Sequence, residues 1–260
     1  MAVAERVTHV VLLHGFTQTP AVWDPVRADL EARGARCVVP WLPGHGPDAP
    51  APTGWDAALD ALADACVPAA ASRTGSADST GRVAWVGYSM GARLALGVAL
   101  RRPSLVASLV LVSGTAGLAD DASRAARCAE DDALALRIET VGVPTFVDEW
   151  LARPMFADLD PAATRARDRH VHSAGGLAGA LRVLGTGAQP DYWPLLPRVV
   201  APSLLVAGAR DDKFVDLARR MHGDIPNSRC EVLDGLGHAV PLQGPRVLAA
   251  LVAEHLGLAG

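Results

Sequence analysis

Short apolar runs alternate with stretches of helical periodicity along most of the chain, and this rhythm restricts the possible folds sharply. Val7–Leu13, Arg36–Pro40, Arg82–Val86 and Ser108–Ser113 read as strands: short, rich in β-branched residues and bounded by turn formers. Between them, Pro20–Leu30, Trp55–Ala71 and Met90–Leu100 carry helical patterns. Thr19 stands as a candidate N-cap before the first, and Pro20 suits its opening position. Residues 72–81, rich in Ser, Gly, Asp and Thr, read as a surface loop. Strands that are apolar throughout must be covered on both faces. The alternation therefore predicts an α/β architecture, a mostly parallel sheet packed between helices.

The rhythm stops after Ser113. Residues 117–198 are rich in Ala, Arg and Leu, keep a helical period and contain no strand-like run. Alternation resumes with strand Ser203–Ala207, helix Asp216–His222, strand Arg229–Leu233 and helix Pro245–His255. A helical interruption of a βα series reads as a cap inserted between strands. The expected division is 1–116 for the first part of the core, 117–198 for the helical cap and 199–260 for the second part of the core.

A formal net charge of −4 and a pI near 6.0 argue against nucleic acid as a partner. Cys37, Cys66, Cys128 and Cys230 lie far apart without a C-x-x-C pair, which suggests buried thiols in a reducing compartment, and no metal site is expected. Glu5 and Arg6 interrupt the N-terminal segment, so it lacks a signal core. No run approaches the roughly 18 apolar residues of a membrane span. These features together suggest a cytoplasmic protein with no membrane partner, either a monomer or a small homo-oligomer.

Gly87-Tyr88-Ser89-Met90-Gly91 fits G-x-S-x-G between a predicted strand and a predicted helix. A sharp turn there lifts the Ser89 hydroxyl out of the sheet, and small residues at 87 and 91 let the flanking elements close up. The helix N-terminus favours negative charge nearby. An acid and then a histidine are expected downstream: Asp211 just past Ser203–Ala207, and His238 in the loop Gly235-Leu236-Gly237-His238. Asp212 and Asp216 compete with Asp211 for the acid. His238 would accept the Ser89 proton while Asp211 fixes its tautomer. The backbone N–H groups of Phe16, in His14-Gly15-Phe16, and of Met90 are candidates for an oxyanion hole. Histidines 9, 170, 172, 222 and 255 are expected on surfaces or in turns. Arg93 lies one turn beyond Ser89 on a helix that should be buried, so it requires an internal acid or an anionic ligand.

The run Val86 through Leu96 closely resembles the elbow of the 2-succinyl-6-hydroxy-2,4-cyclohexadiene-1-carboxylate synthase family of menaquinone biosynthesis. The likeness extends to Leu13-His14-Gly15-Phe16-Thr17, Pro43-Gly44-His45-Gly46, the cap segment Glu149 to Phe156, Gly185 to Pro190, and Gly208 to Phe214. It implies an α/β-hydrolase fold with a helical cap between strands, a cytoplasmic enzyme and no cofactor. It also implies elimination of pyruvate from a polyanionic cyclohexene substrate. By position, Arg93, Arg127 and Arg169 resemble the family's carboxylate-binding arginines, with Tyr88 and Trp150 lining the pocket. Exposed helix charge is the competing reading for Arg127 and Arg169. Ala92 stands where this elbow commonly has a second glycine, and Trp41 where an aspartate commonly precedes Leu-Pro-Gly-His-Gly.

Guanidinium groups bind carboxylates bidentately, and a triad serine can be made basic enough to take a carbon-bound proton. The same triad serves an esterase, thioesterase or C–C bond hydrolase with Ser89 as nucleophile, and a ligand-binding protein can keep such a fold without catalysis.

Overall fold

Among the described residues six short strands, numbered β1 to β6 along the chain, form one parallel sheet in the order β2-β1-β3-β4-β5-β6. The structure, a computed structural model, describes residues 8–72 and 81–258, apart from the side chains of residues 68–72. The strands are β1 (His9–Leu13), β2 (Arg36–Val38), β3 (Val83–Tyr88), β4 (Val106–Val112), β5 (Ser203–Gly208) and β6 (Ser228–Leu233). The helices are α1 (Asp24–Ala32), α2 (Trp55–Ser72), α3 (Met90–Arg101), α4 (Asp121–Val141), α5 (Val143–Leu151), α6 (Ala174–Leu184), α7 (Asp212–Asp224), α8 (Val240–Gln243) and α9 (Pro245–His255).

Because strand side chains alternate faces, each central strand feeds two cores. Val10, Leu12, Val86, Val110 and Val206 pack against Val26 and Leu30 of α1 and Leu248 and Val252 of α9. Val11, Leu13, Trp85, Leu111 and Leu205 pack on the other face against Leu59 of α2, Leu94 of α3 and Met221 of α7. This two-sided burial is why the strands are apolar at every position rather than at every second one.

Between β4 and β5 the chain contains only helices, α4 to α6 with several 3-10 turns. Asp131, buried in α4, accepts from the Gly187 N–H at 3.2 Å and so ties the end of the helical insertion together. A side chain at Gly187 would run into the Cys128 backbone, which explains the small residue there.

Several boundaries move. Val7, expected in the first strand, lies outside the described residues, as do the N-terminal segment before it and residues 73–80 of the expected loop. The first helix opens as a 3-10 turn over Pro20–Trp23, and the Thr19 side chain makes no cap bond. α7 begins at Asp212 rather than Asp216, because the Asp211 carbonyl already accepts from the Phe214 and Val215 N–H groups. The single turn α8 was not anticipated. Cys37 and Cys66 are buried, and burial pushes both thiols up to about 12, so they are inert at neutral pH. Among the described residues, no helix is long and apolar enough to cross a membrane, and no cluster of three His, Cys, Asp or Glu could hold a metal ion.

Candidate active site

Ser89 sits between the end of β3 and the start of α3 with φ 53° and ψ −110°, a conformation costly for any residue with a Cβ. The strained turn exists because its neighbours are small. A Cβ at Gly87 would overlap the Gly91 carbonyl, and one at Gly91 would overlap the Leu13 carbonyl. The Ala92 methyl is accommodated from the other side: a Cβ at Gly114 would lie 2.8 Å from it.

The three distant stretches converge. His238 Nε2 lies 3.2 Å from Ser89 Oγ, and His238 Nδ1 lies 2.7 Å from Asp211 Oδ2. With the carboxylate ionised, Nδ1–H donates to Asp211 and Nε2 is left to accept from the serine, a tautomer inferred from these partners. Asp212 and Asp216 are exposed on α7, so Asp211 alone of the three reaches the imidazole. The His238 carbonyl accepts from Ser113 Oγ at 2.9 Å, and Gly237 N–H donates to Gln243 Oε1 at 2.9 Å, which anchors the histidine loop to β4 and α8. Gly208 lets the acid loop approach, since a side chain there would overlap the Leu236 and Gly237 carbonyls. The Phe214 ring packs 4.5 Å from the imidazole, which is almost fully buried.

Phe16 lies in the turn after β1. Among the described residues, neither its amide nor that of Met90 donates in the loop and turn hydrogen bonds, as a hole for developing negative charge requires. The next residue, Thr17, is held on every side. Its N–H donates to His45 Nε2 (3.3 Å), its carbonyl accepts from His172 Nε2 (2.9 Å), and its hydroxyl accepts from Arg169 Nη1 (2.7 Å). His172 Nδ1 accepts from Gly46 N–H at 2.8 Å, and His14 Nε2 accepts from Leu42 N–H at 3.2 Å. Each of these imidazoles accepts one backbone N–H, so each must be neutral. Burial supplies the driving force: it takes His14 down to about 3, His45 well below the usual imidazole value, and His172 down as well. His172 and His9, expected on surfaces or in turns, are both buried. His9 opens β1, whereas His172 follows a stretch of 3-10 turns in which no periodic pattern marks a buried histidine.

Ser89, Met90, His238 and Phe16 open onto one cavity. Three of the expected substrate-binding residues line it: Arg93, Arg127 and Trp150. Arg93 Nη1 donates to the Leu184 carbonyl at 2.8 Å, and its guanidinium lies 5.9 Å from the centre of the Trp55 ring. Burial, with Arg127 nearby and Asp131 opposing, takes Arg93 down to about 9, so it keeps its charge at neutral pH. Arg127 Nε donates to Asp131 Oδ1 at 2.9 Å. Trp150 packs edge-on against Phe16 at 5.3 Å, and its buried indole N–H has no acceptor among the described residues.

Tyr88 and Arg169 are not brought to the cavity wall. Tyr88 is buried behind it: a Cβ at Gly15 would lie 2.9 Å from the tyrosine ring, and that ring sits 5.6 Å from the His238 ring. Arg169 is buried too, with Nε and Nη2 donating to the Thr164 carbonyl and Nη1 to Thr17. The sequence reading did not single out Ser113, Thr115, Glu130, Arg153, Lys213 or Phe214, all of which line the cavity. Arg153 and Lys213 stand inside runs that resemble the synthase family, but only tertiary contact shows which side chains of such a run face inward.

Comparison with known proteins gives the chain its family. The alpha/beta hydrolase family matches residues 10–251. The putative 2-succinyl-6-hydroxy-2,4-cyclohexadiene-1-carboxylate synthase of Bacillus subtilis (strain 168) is 36% identical over 180 residues, 67% of this chain and 66% of that protein, just under two thirds of its length. The protein of Enterobacter sp. (strain 638) named 2-succinyl-6-hydroxy-2,4-cyclohexadiene-1-carboxylate synthase is 29% identical over 96% of this chain and 92% of its own. Among solved structures, MenH from S. aureus superposes with a TM-score of 0.86 at 27% identity, covering 98% of this chain and 96% of that one. With its matched length, its strained serine elbow and its parallel sheet, this chain belongs to the alpha/beta hydrolase family.

Proposed function

We propose that this chain is a carbon–oxygen lyase. It would eliminate pyruvate from 2-succinyl-5-enolpyruvyl-6-hydroxy-3-cyclohexene-1-carboxylate to give 2-succinyl-6-hydroxy-2,4-cyclohexadiene-1-carboxylate. The observation that carries the reading is one cavity lined both by Ser89 and His238, with Asp211 behind, and by Arg93 and Arg127. Relatives named for that product support it.

The names of substrate and product define the bond changes. A proton leaves C2, the ring double bond moves, and the C5–O bond breaks. In this reading Ser89 Oγ takes the C2 proton as His238 Nε2 takes the serine's, while Asp211 stabilises the imidazolium. Charge passes transiently to the ketone oxygen beside C2, within the province of the Phe16 and Met90 amides. One such donor is typically worth about 3–4 kcal/mol in the transition state. Electrons then flow through the ring to expel enolpyruvate, which gains a proton on carbon and becomes pyruvate. Arg93 and Arg127 hold carboxylates and keep C2 over the serine. Proton transfer and C–O cleavage are within the reach of these side chains, so the reading includes no cofactor. It places the enzyme in the cytoplasm.

The same hydrogen-bonded serine and the two unengaged amides also suit acyl transfer, which makes serine hydrolysis the second reading. Incubation with the enolpyruvyl substrate while following pyruvate separates the two. Pyruvate released in step with the diene supports the lyase. An ester turned over through an acyl group trapped on Ser89, with no pyruvate formed, would overturn it in favour of the hydrolase.

A further inference from the structure

The cavity differs in charge from the molecule around it. The chain carries a formal net charge of −4, yet the residues lining the cavity include Arg93, Arg127, Arg153 and Lys213 against one carboxylate, Glu130. These four cations are not equally free. Arg93 is committed to the Leu184 carbonyl and Arg127 to Asp131. Arg210, close in sequence to Lys213, faces Asp158 at 3.8 Å. Among the described residues Arg153 and Lys213 have no carboxylate partner, and their contacts are with aromatic faces. The Arg153 guanidinium lies 4.8 Å from the centre of the Trp150 ring, and Lys213 Nζ lies 5.7 Å from that of Phe214.

These rings connect each cation to the reaction centre. Trp150 packs on Phe16, whose amide is a candidate oxyanion donor, and Phe214 packs on the imidazole of His238. Arg153 belongs to the helical insertion and Lys213 to α7 of the core. A cation resting on a ring face is held in place while its N–H groups stay available.

We propose that Arg153 and Lys213 form a second carboxylate site at the mouth of the cavity. It takes the substrate carboxylate that Arg93 and Arg127 do not reach and bridges cap and core through the bound anion. The proposal rests on the polyanionic substrate of the preceding reading and deepens it. Its ligand class is a di- or tricarboxylate with its charges spread along several ångströms.

Tricarballylate serves as the probe, with binding to the whole protein followed by calorimetry at low and moderate salt, independently of any turnover. The expected result is saturable binding by the unaltered protein, weakened at least tenfold in R153Q/K213Q. R246Q, which removes an exposed charge on α9, should bind as the unaltered protein does. Equal affinity in the double variant, an equal loss in R246Q, or no saturable binding by the unaltered protein would each overturn the site. A missing pyruvate signal alongside intact, Arg153- and Lys213-dependent binding would instead remove the lyase reading and leave a polycarboxylate site beside a hydrolase triad.

Discussion

His172 donates from Nε2 to the Thr17 carbonyl across 2.9 Å, so a side chain of the helical insertion holds the loop that presents the Phe16 amide. The same ring accepts the Gly46 N–H. Protonating it would leave two donors facing each other.

Acid should therefore loosen this region before it reaches the sheet. His14, His45 and His172 have folded pKa values lowered from 6.5, so they favour the native state fully above pH 6.5 and lose that contribution as pH falls toward their folded values. For His14, held at about 3, the loss reaches about 2 kcal/mol by pH 5. Thermal unfolding at intervals from pH 7.5 to 5 should show a flat Tm that then declines, and H172Q should make the decline shallower. A Tm unchanged down to pH 5 would contradict neutral buried imidazoles.

Arg169 and Arg127 should fail differently. R169Q loosens Thr17 and should lower kcat about tenfold on a polyanion and on a neutral ester alike. R127Q should chiefly raise KM for the polyanion. Kinetics on both substrates decide the matter, and a selective loss of the polyanion in R169Q would return that arginine to carboxylate binding.

Ser89→Ala should lower kcat by about three orders of magnitude or more while circular dichroism and Tm stay close to those of the parent. Activity within tenfold of the parent would take the hydroxyl out of the chemistry.

Gly114→Ala should cost about 1–3 kcal/mol, since the new methyl would meet that of Ala92 at 2.8 Å in a packed wall. Adding A92G should recover most of that loss. Denaturant titration of the single and double variants gives the coupling energy, and simple additivity would refute the contact.

The strands were legible because burial on both faces writes them as unbroken apolar runs, and Ser89 because its elbow needs glycine on either side. Asp211 and His238 followed from chain order. Less was written about the walls of the cavity. Tyr88 precedes the serine in sequence, yet strand alternation turns its ring toward the opposite core, where it packs with Val86 and Val112. Arg169 and His172 sit in a stretch of 3-10 turns with no period to show which way a side chain points. The departure at position 41 also becomes intelligible only in space: the half-exposed Trp41 indole meets the His172 ring at 5.7 Å and covers the buried imidazoles.

Because Thr17 is gripped by Arg169 and His172, the helical insertion of this enzyme is also part of its chassis. A lineage that exchanged residues between β4 and β5 for another sequence would change the cavity wall, but it would also cut two of the bolts beneath the loop that carries Phe16. Transplanted insertions should therefore work only when they carry equivalent anchors, a constraint on how freely such enzymes trade one substrate for another.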